Sequence, residues 1–116
     1  MFTRKFGVEV EFTGITRKQA AETAAAYLNT TAAYAGGYYE AYEVRAPDGR
    51  AWKFMYDGSI HCQRKENRRL INAGSQYSVE LVTPVLCYRE DIDTLQGLVR
   101  RLRKAGGFAN KSCGIH

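Results

Sequence analysis

The run Phe6-Gly7-Val8-Glu9-Val10-Glu11-Phe12 decides the reading of the fold, because apolar and acidic residues alternate through it. Successive side chains of a strand point to opposite faces, so Val8, Val10 and Phe12 are expected on one face and Glu9 with Glu11 on the other. Two carboxylates so placed repel each other. A hard cation such as Mg²⁺, held through oxygen, relieves that repulsion and can neutralise substrate phosphates in turn. A polar strand face open to water is the competing reading of the same pattern.

Downstream, Gly14 breaks the run and Thr16-Arg17-Lys18-Gln19 has capping-box form, with Thr16 as N-cap and Gln19 reaching back. A helix is expected from there to about Asn29, with Ala20, Ala21, Ala24, Ala25 and Leu28 as a small-residue stripe that lies close against a sheet. Between Thr30 and Gly37, small residues and Gly36-Gly37 predict a loop, the segment most prone to disorder. Tyr38 to Ala46 and Arg50 to Asp57 flank Pro47-Asp48-Gly49 and predict a β-hairpin, with Trp52, Phe54 and Tyr56 on its buried face. Asp57-Gly58-Ser59 turns the chain, and the polar, Arg-rich stretch from His61 to Gln76 reads as a loop with a short helical piece. Tyr77 to Val82 predicts a strand that ends at Thr83-Pro84 and sends Glu80 to the face opposite Val79 and Leu81. A second helix is expected from an N-cap at about Asp91, with the stripe Ile92, Leu95, Leu98, Val99 and Leu102, and with Gly106-Gly107 as its stop. Gly97 inside it costs about 1 kcal/mol relative to alanine.

This order predicts an α+β fold: two helices packed on one face of a mostly antiparallel sheet, with a further strand at its end. The other face then carries Glu9, Glu11, Asp57 and Glu80. At 116 residues the chain fits a single domain. A domain of that size buries about two-thirds of the surface its unfolded form exposes. The hydrophobic fraction of 45% and charged fraction of 25% exclude a disordered or fibrous class. No apolar run approaches the roughly 20 residues of a membrane helix, and Met1-Phe2-Thr3-Arg4-Lys5 leads straight into a strand without a signal-peptide core, so the expected compartment is the cytoplasm. Cys62, Cys87 and Cys113 are an odd, widely spaced set that fits reduced thiols, and His61-Cys62 and Cys113 with His116 lack the spacing of a zinc finger.

The net charge of +5 gathers at Arg64, Lys65, Arg68 and Arg69 and again at Arg100, Arg101, Arg103 and Lys104. The second cluster complements the dipole at the end of the predicted helix. The first is surface charge or a phosphate contact.

Four pieces occur in order: Gly7-Val8-Glu9-Val10-Glu11-Phe12, Asp57-Gly58-Ser59-Ile60, Val79-Glu80-Leu81-Val82-Thr83-Pro84 and Ser112-Cys113-Gly114-Ile115-His116. Together they resemble the amidoligase family, carboxylate-amine ligases related in fold to glutamine synthetase and glutamate-cysteine ligase. The resemblance implies half of a glutamine synthetase-like catalytic fold, ATP and Mg²⁺ as cofactors, and amide-bond formation through an acyl phosphate. Small-molecule or peptide carboxylates and amines are the implied substrates. Glu9, Glu11 and Glu80 match the family's metal-binding acids, and His116 matches the first histidine of a His-x-His strand facing the nucleotide. Asp57 matches an Asp-Gly-Ser turn that contacts substrate or amine, although Asp-Gly also suits a purely structural turn. Arg68 and Arg69 are candidates to meet the nucleotide's phosphates. Family members are usually more than twice this length, so residues 1–116 are expected to be the N-terminal part of a catalytic domain, inactive alone. A truncated sheet of this kind exposes an edge through which copies can associate.

Two other classes fit parts of the sequence. A small basic module would stack nucleic-acid bases on Tyr38, Tyr39, Tyr42 and Trp52 and hold phosphates with Arg64 to Arg69. A non-catalytic interaction fragment is the other. Carboxylates on the sheet face repel a nucleic-acid backbone, which disfavours the first.

Overall fold

The computed structural model describes residues 4–116. Met1-Phe2-Thr3, read above as leading into the first strand, lies outside the described residues. The chain forms β1 (Lys5–Phe6), β2 (Glu9–Phe12), α1 (Arg17–Tyr27), β3 (Ala32–Gly36), β4 (Ala41–Arg45), β5 (Ala51–Met55), β6 (Gln63–Glu66), β7 (Arg69–Asn72), β8 (Val79–Val82), β9 (Leu86–Cys87) and α2 (Tyr88–Lys104). Five strands make one antiparallel sheet in the order β2-β8-β5-β4-β3, while β1 pairs with β9 and β6 with β7. With two helices against that sheet, the architecture is α+β, as the sequence predicts.

Alternation explains which face is covered. Phe54 lies opposite Leu81, and Leu81 opposite Val10, so one row of the sheet is apolar. Those side chains pack with Val44, Trp52 and Val79 against Ala20, Ala21, Ala24 and Ala25 of α1 and Leu95, Leu98 and Leu102 of α2. The next row runs Met55, Glu80, Glu11 and points away from both helices. Helix α1 starts on the predicted capping box: Thr16 Oγ1 accepts from Gln19 N at 3.1 Å, and Gln19 Oε1 accepts from Thr16 N at 2.9 Å. The β4–β5 turn closes with Ala46 N donating to Arg50 O, and Gly49 takes φ +89, open to glycine without strain.

Several expectations are corrected. The predicted strand over residues 6–12 is split at Gly7-Val8, where Val8 exchanges hydrogen bonds with Thr83 rather than with a strand ladder. The predicted loop over Thr30 to Gly37 contains edge strand β3, ordered by pairing with β4 and by the Tyr34 ring against Tyr42 at 5.0 Å. Its alanines hide the strand from a reading based on hydrophobic alternation. The stretch from His61 to Gln76 holds the hairpin β6–β7, turned by Asn67 and Arg68 at φ +49 and +66, with a 3-10 turn at Ser75–Tyr77. That two-residue turn has the positive φ pair usual in hairpins, but Arg68 stands where glycine is expected.

Helix α2 begins at Tyr88, not after Asp91. Asp91 acts from inside the first turn: its carboxylate accepts from Cys87 N at 2.7 Å and from both Arg50 guanidinium nitrogens at 2.8 and 2.9 Å. Gly97 is buried and leaves room for the Tyr27 hydroxyl, which a Cβ there would strike and which donates to Thr94 O at 3.1 Å, tying α1 to α2. The expected final strand is present as a short stretch along β2, where Glu9 N donates to His116 O at 2.9 Å and His116 N to Glu9 O at 2.8 Å.

Candidate functional site

Three elements converge on the uncovered face of the sheet. Glu11 of β2 lies directly across from Glu80 of β8, and Glu80 across from Met55 of β5. Asp57 follows two residues after the end of β5, so its side chain falls beside theirs. One carboxylate oxygen from each of Glu11, Asp57 and Glu80 lies within 4.8 Å of the others. Oxygen donors gathered from three backbone segments at this spacing are what a hard divalent cation needs.

The surroundings hold two of these carboxylates individually. Glu11 is only 9% exposed. Its Oε1 accepts from Gly114 N at 2.8 Å, and His116 Nε2 stands 3.7 Å from the same oxygen. Gly114 admits this approach, since a Cβ there would sit 3.2 Å from the His116 ring and 3.6 Å from Glu11 Oε1. Asp57 Oδ1 accepts from Ser59 N at 2.9 Å and from Ser59 Oγ at 2.7 Å, which completes the predicted Asp-Gly-Ser turn.

Charge is not balanced within the cluster. The Ser59 amide and hydroxyl hold the Asp57 carboxyl below its ordinary range. Glu80 moves the other way: burial, then the Glu9 carboxylate beside it, then the charges of Asp57 and Glu11, push it up to about 7. Burial and the neighbouring carboxylates thus favour the protonated form of Glu80.

Of the residues singled out from sequence, Glu11, Asp57 and Glu80 meet in this group, Glu9 stands beside Glu80, and His116 beside Glu11. Arg68 and Arg69 do not join them: Arg68 forms the β6–β7 turn and Arg69 opens β7, and neither has an ion-pair partner among the described residues. Among the described residues the one group with metal-ligand geometry is Glu11, Asp57 and Glu80, and it includes none of His61, Cys62, Cys113 and His116. Trp52 is 1% exposed and packed in the core, so it cannot stack on a base as the nucleic-acid reading required.

Sequence reasoning missed the supporting polar residues Arg17, Ser59 as the Asp57 partner, Ser78, Asn110 and Ser112. Asn110 Nδ2 donates to His61 O at 2.8 Å and to Gln63 Oε1 at 2.9 Å, and Ser112 Oγ accepts from His61 N at 2.8 Å. These bonds join the segment before His116 to the base of the β6–β7 hairpin. Each spans some fifty positions and leaves no local pattern.

A sequence model of the family described as "Putative amidoligase enzyme" matches residues 2–116. The chain belongs to this amidoligase family. The match takes in all four acids, both helices and the segment that ends at His116. No curated protein and no solved structure matches the chain. Among the described residues no helix is long and apolar enough to cross a membrane.

Proposed function

We propose that this amidoligase chain supplies the metal-binding face of an ATP-dependent carboxylate-amine ligase, as the N-terminal part of a catalytic domain with a glutamine synthetase-like fold. The observation that carries the reading is the convergence of Glu11, Asp57 and Glu80 within 4.8 Å on the uncovered sheet face. The rise of Glu80 to about 7 supports it, because crowded carboxylates gain most from a divalent cation. In this reading Glu11, Asp57 and Glu80 hold Mg²⁺, and Glu9, the other acid expected from sequence, stands beside Glu80 where it can join them. Mg²⁺ supplies charge neutralisation for phosphoryl transfer, a reaction that asks mainly for positioning and electrostatic stabilisation.

The substrate carboxylate oxygen bonds to the γ-phosphorus as the bridging bond to ADP breaks. The amine nitrogen then attacks the acyl carbon, phosphate leaves, and the amine's proton is lost. This reading assigns His116, 3.7 Å from Glu11 Oε1, to the nucleotide, and leaves Arg68 and Arg69 of the β6–β7 hairpin, which do not join the acids, as candidates for its phosphates. Substrates are small-molecule or peptide carboxylates and amines, and the compartment is the cytoplasm. Self-association is part of the same reading: edge strand β3 lies in a run without a charged side chain between Asn29 and Glu40, the kind of edge that pairs with a second copy.

Isothermal titration with Mg²⁺ and a non-hydrolysable ATP analogue tests this, using the parent beside a Glu9→Ala, Glu11→Ala variant. Binding by the parent that the variant loses supports the assignment. A variant that titrates like its parent removes these acids from the site, and a parent that does not bind leaves family membership without this activity in the isolated chain.

A further inference from the structure

We propose that Ser78 and Arg17 are positioning residues that set the Asp57 carboxylate within the acid cluster. The inference rests on reading that cluster as a divalent-cation site. The β5–β8 ladder ends at the pair Met55 and Glu80, so no strand pairing fixes Asp57. Ser78 stands in for it. Its hydroxyl is fully buried, donates to Asp57 O at 2.6 Å and accepts from Asp57 N at 2.9 Å. One side chain thereby supplies both hydrogen bonds that a paired residue would exchange with a neighbouring strand.

Arg17 fixes Ser78 in turn. It is 6% exposed, and its Nη1 donates to Ser78 O and to Ser75 O, each at 2.8 Å. The same guanidinium lies over the Tyr56 ring, 5.5 Å from its centroid, and its Nη2 stands 3.5 Å from Glu40 Oε2. Arg17 therefore holds both sides of the joint, the residue before Asp57 and the residue that grips Asp57. Because Ser78 precedes Glu80 by only two positions on the same segment, a bond from Ser78 to Asp57 also sets the distance between the two carboxylates. Nη1 alone supplies both carbonyl bonds while the rest of the planar guanidinium lies on the Tyr56 ring and reaches towards Glu40, a combination that lysine's compact ammonium performs less completely. Metal ligands held by supporting bonds of this kind bind more tightly than the same ligands left free.

Ser78→Ala and Arg17→Lys test the proposal beside Val44→Ala, a buried change on β4 whose register partners are Ala32 and Trp52. Two quantities are read: Mn²⁺ affinity, from the electron paramagnetic resonance signal of the free ion, and the exchange rate of the Ser59 amide in metal-free protein. Ser78→Ala is expected to weaken Mn²⁺ at least tenfold and to speed Ser59 exchange at least tenfold. Arg17→Lys should move both in the same direction by less. Val44→Ala should lower the melting temperature and move neither. If Ser78→Ala and Arg17→Lys behave like Val44→Ala, with affinity within twofold and Ser59 exchange unchanged, the two residues are structural only and the proposal is wrong. A parent that does not bind Mn²⁺ refutes the cation reading instead, and Ser59 exchange then decides the positioning role alone.

Discussion

Replacing Glu80 by glutamine should make the metal-free protein more stable at pH 8, although it deletes a candidate ligand. Glu80 in the folded chain is pushed up to about 7 from an ordinary 4.5 by burial and by Glu9, Asp57 and Glu11. A folded-state value above the unfolded one means that the native chain holds this proton more tightly. The stability from that proton is fully present below pH 4.5 and is lost as pH rises through about 7. Taken at face value the shift is worth roughly 3 kcal/mol, and the partial exposure of the site reduces it to about 1–2 kcal/mol. Glutamine keeps the shape and stays neutral at every pH. Glu80→Gln is therefore expected to gain about 1–2 kcal/mol over its parent at pH 8, a rise of roughly 3–10 °C in melting temperature for a domain of this size. The gap should shrink as pH falls through 7 towards 4.5 and close about a unit below 4.5, where the parent's Glu80 is protonated in both states. The assay is thermal unfolding in excess chelator from about pH 3.5 to 8, repeated at the neutral end with Mg²⁺, which should stabilise the parent more than the variant. The difference between the two proteins cancels the opposite trend of Asp57, since both carry it. A variant no more stable than its parent at pH 8, or a gap independent of pH, refutes the electrostatic account.

Gly97→Ala should destabilise the protein by about 1–2 kcal/mol in urea unfolding, because overpacking against Tyr27 outweighs the helix preference of alanine; a stabilised variant would show that the α1–α2 contact yields. Asp91→Asn weakens the paired bonds to Arg50 and should cost about 1–3 kcal/mol at pH 7. Arg50 holds Asp91 below its usual 3.8, so that stability is present above this value, and the gap between parent and variant should close as pH falls below it. Arg68→Gly removes a left-handed arginine from the hairpin turn and should slow amide exchange across β6–β7, by up to about 1 kcal/mol in local opening energy.

What could be read from the sequence follows from how locally each feature is written. Thr16 and Gln19 satisfy each other across three positions, and the Pro47-Asp48-Gly49 turn folds on itself, so both were legible. Glu9 and Glu11 share a face for the same reason, since alternation within one strand needs no partner. Strand β3 was not legible because its Ala-rich sequence has no apolar alternation, and its order comes from pairing with β4 and from Ala32 packing on the core. The β6–β7 hairpin stands away from the hydrophobic core, which removes the pattern a buried strand would imprint. The start of α2 moved to Tyr88 because Asp91 caps through Cys87 N and Arg50, a residue 41 positions earlier. The acid site divides along the same line. The residue types were visible in three short pieces of sequence, whereas the grip on Asp57 depends on Ser78 and Arg17, 21 residues after it in one case and 61 residues apart from each other. A serine before a strand and an arginine after an N-cap look like surface residues until the sheet closes. Loss of the brace should therefore uncouple site from fold: the strands that carry Glu11 and Glu80 keep their register through β2–β8 pairing, while Asp57, which has no ladder, is the acid free to move.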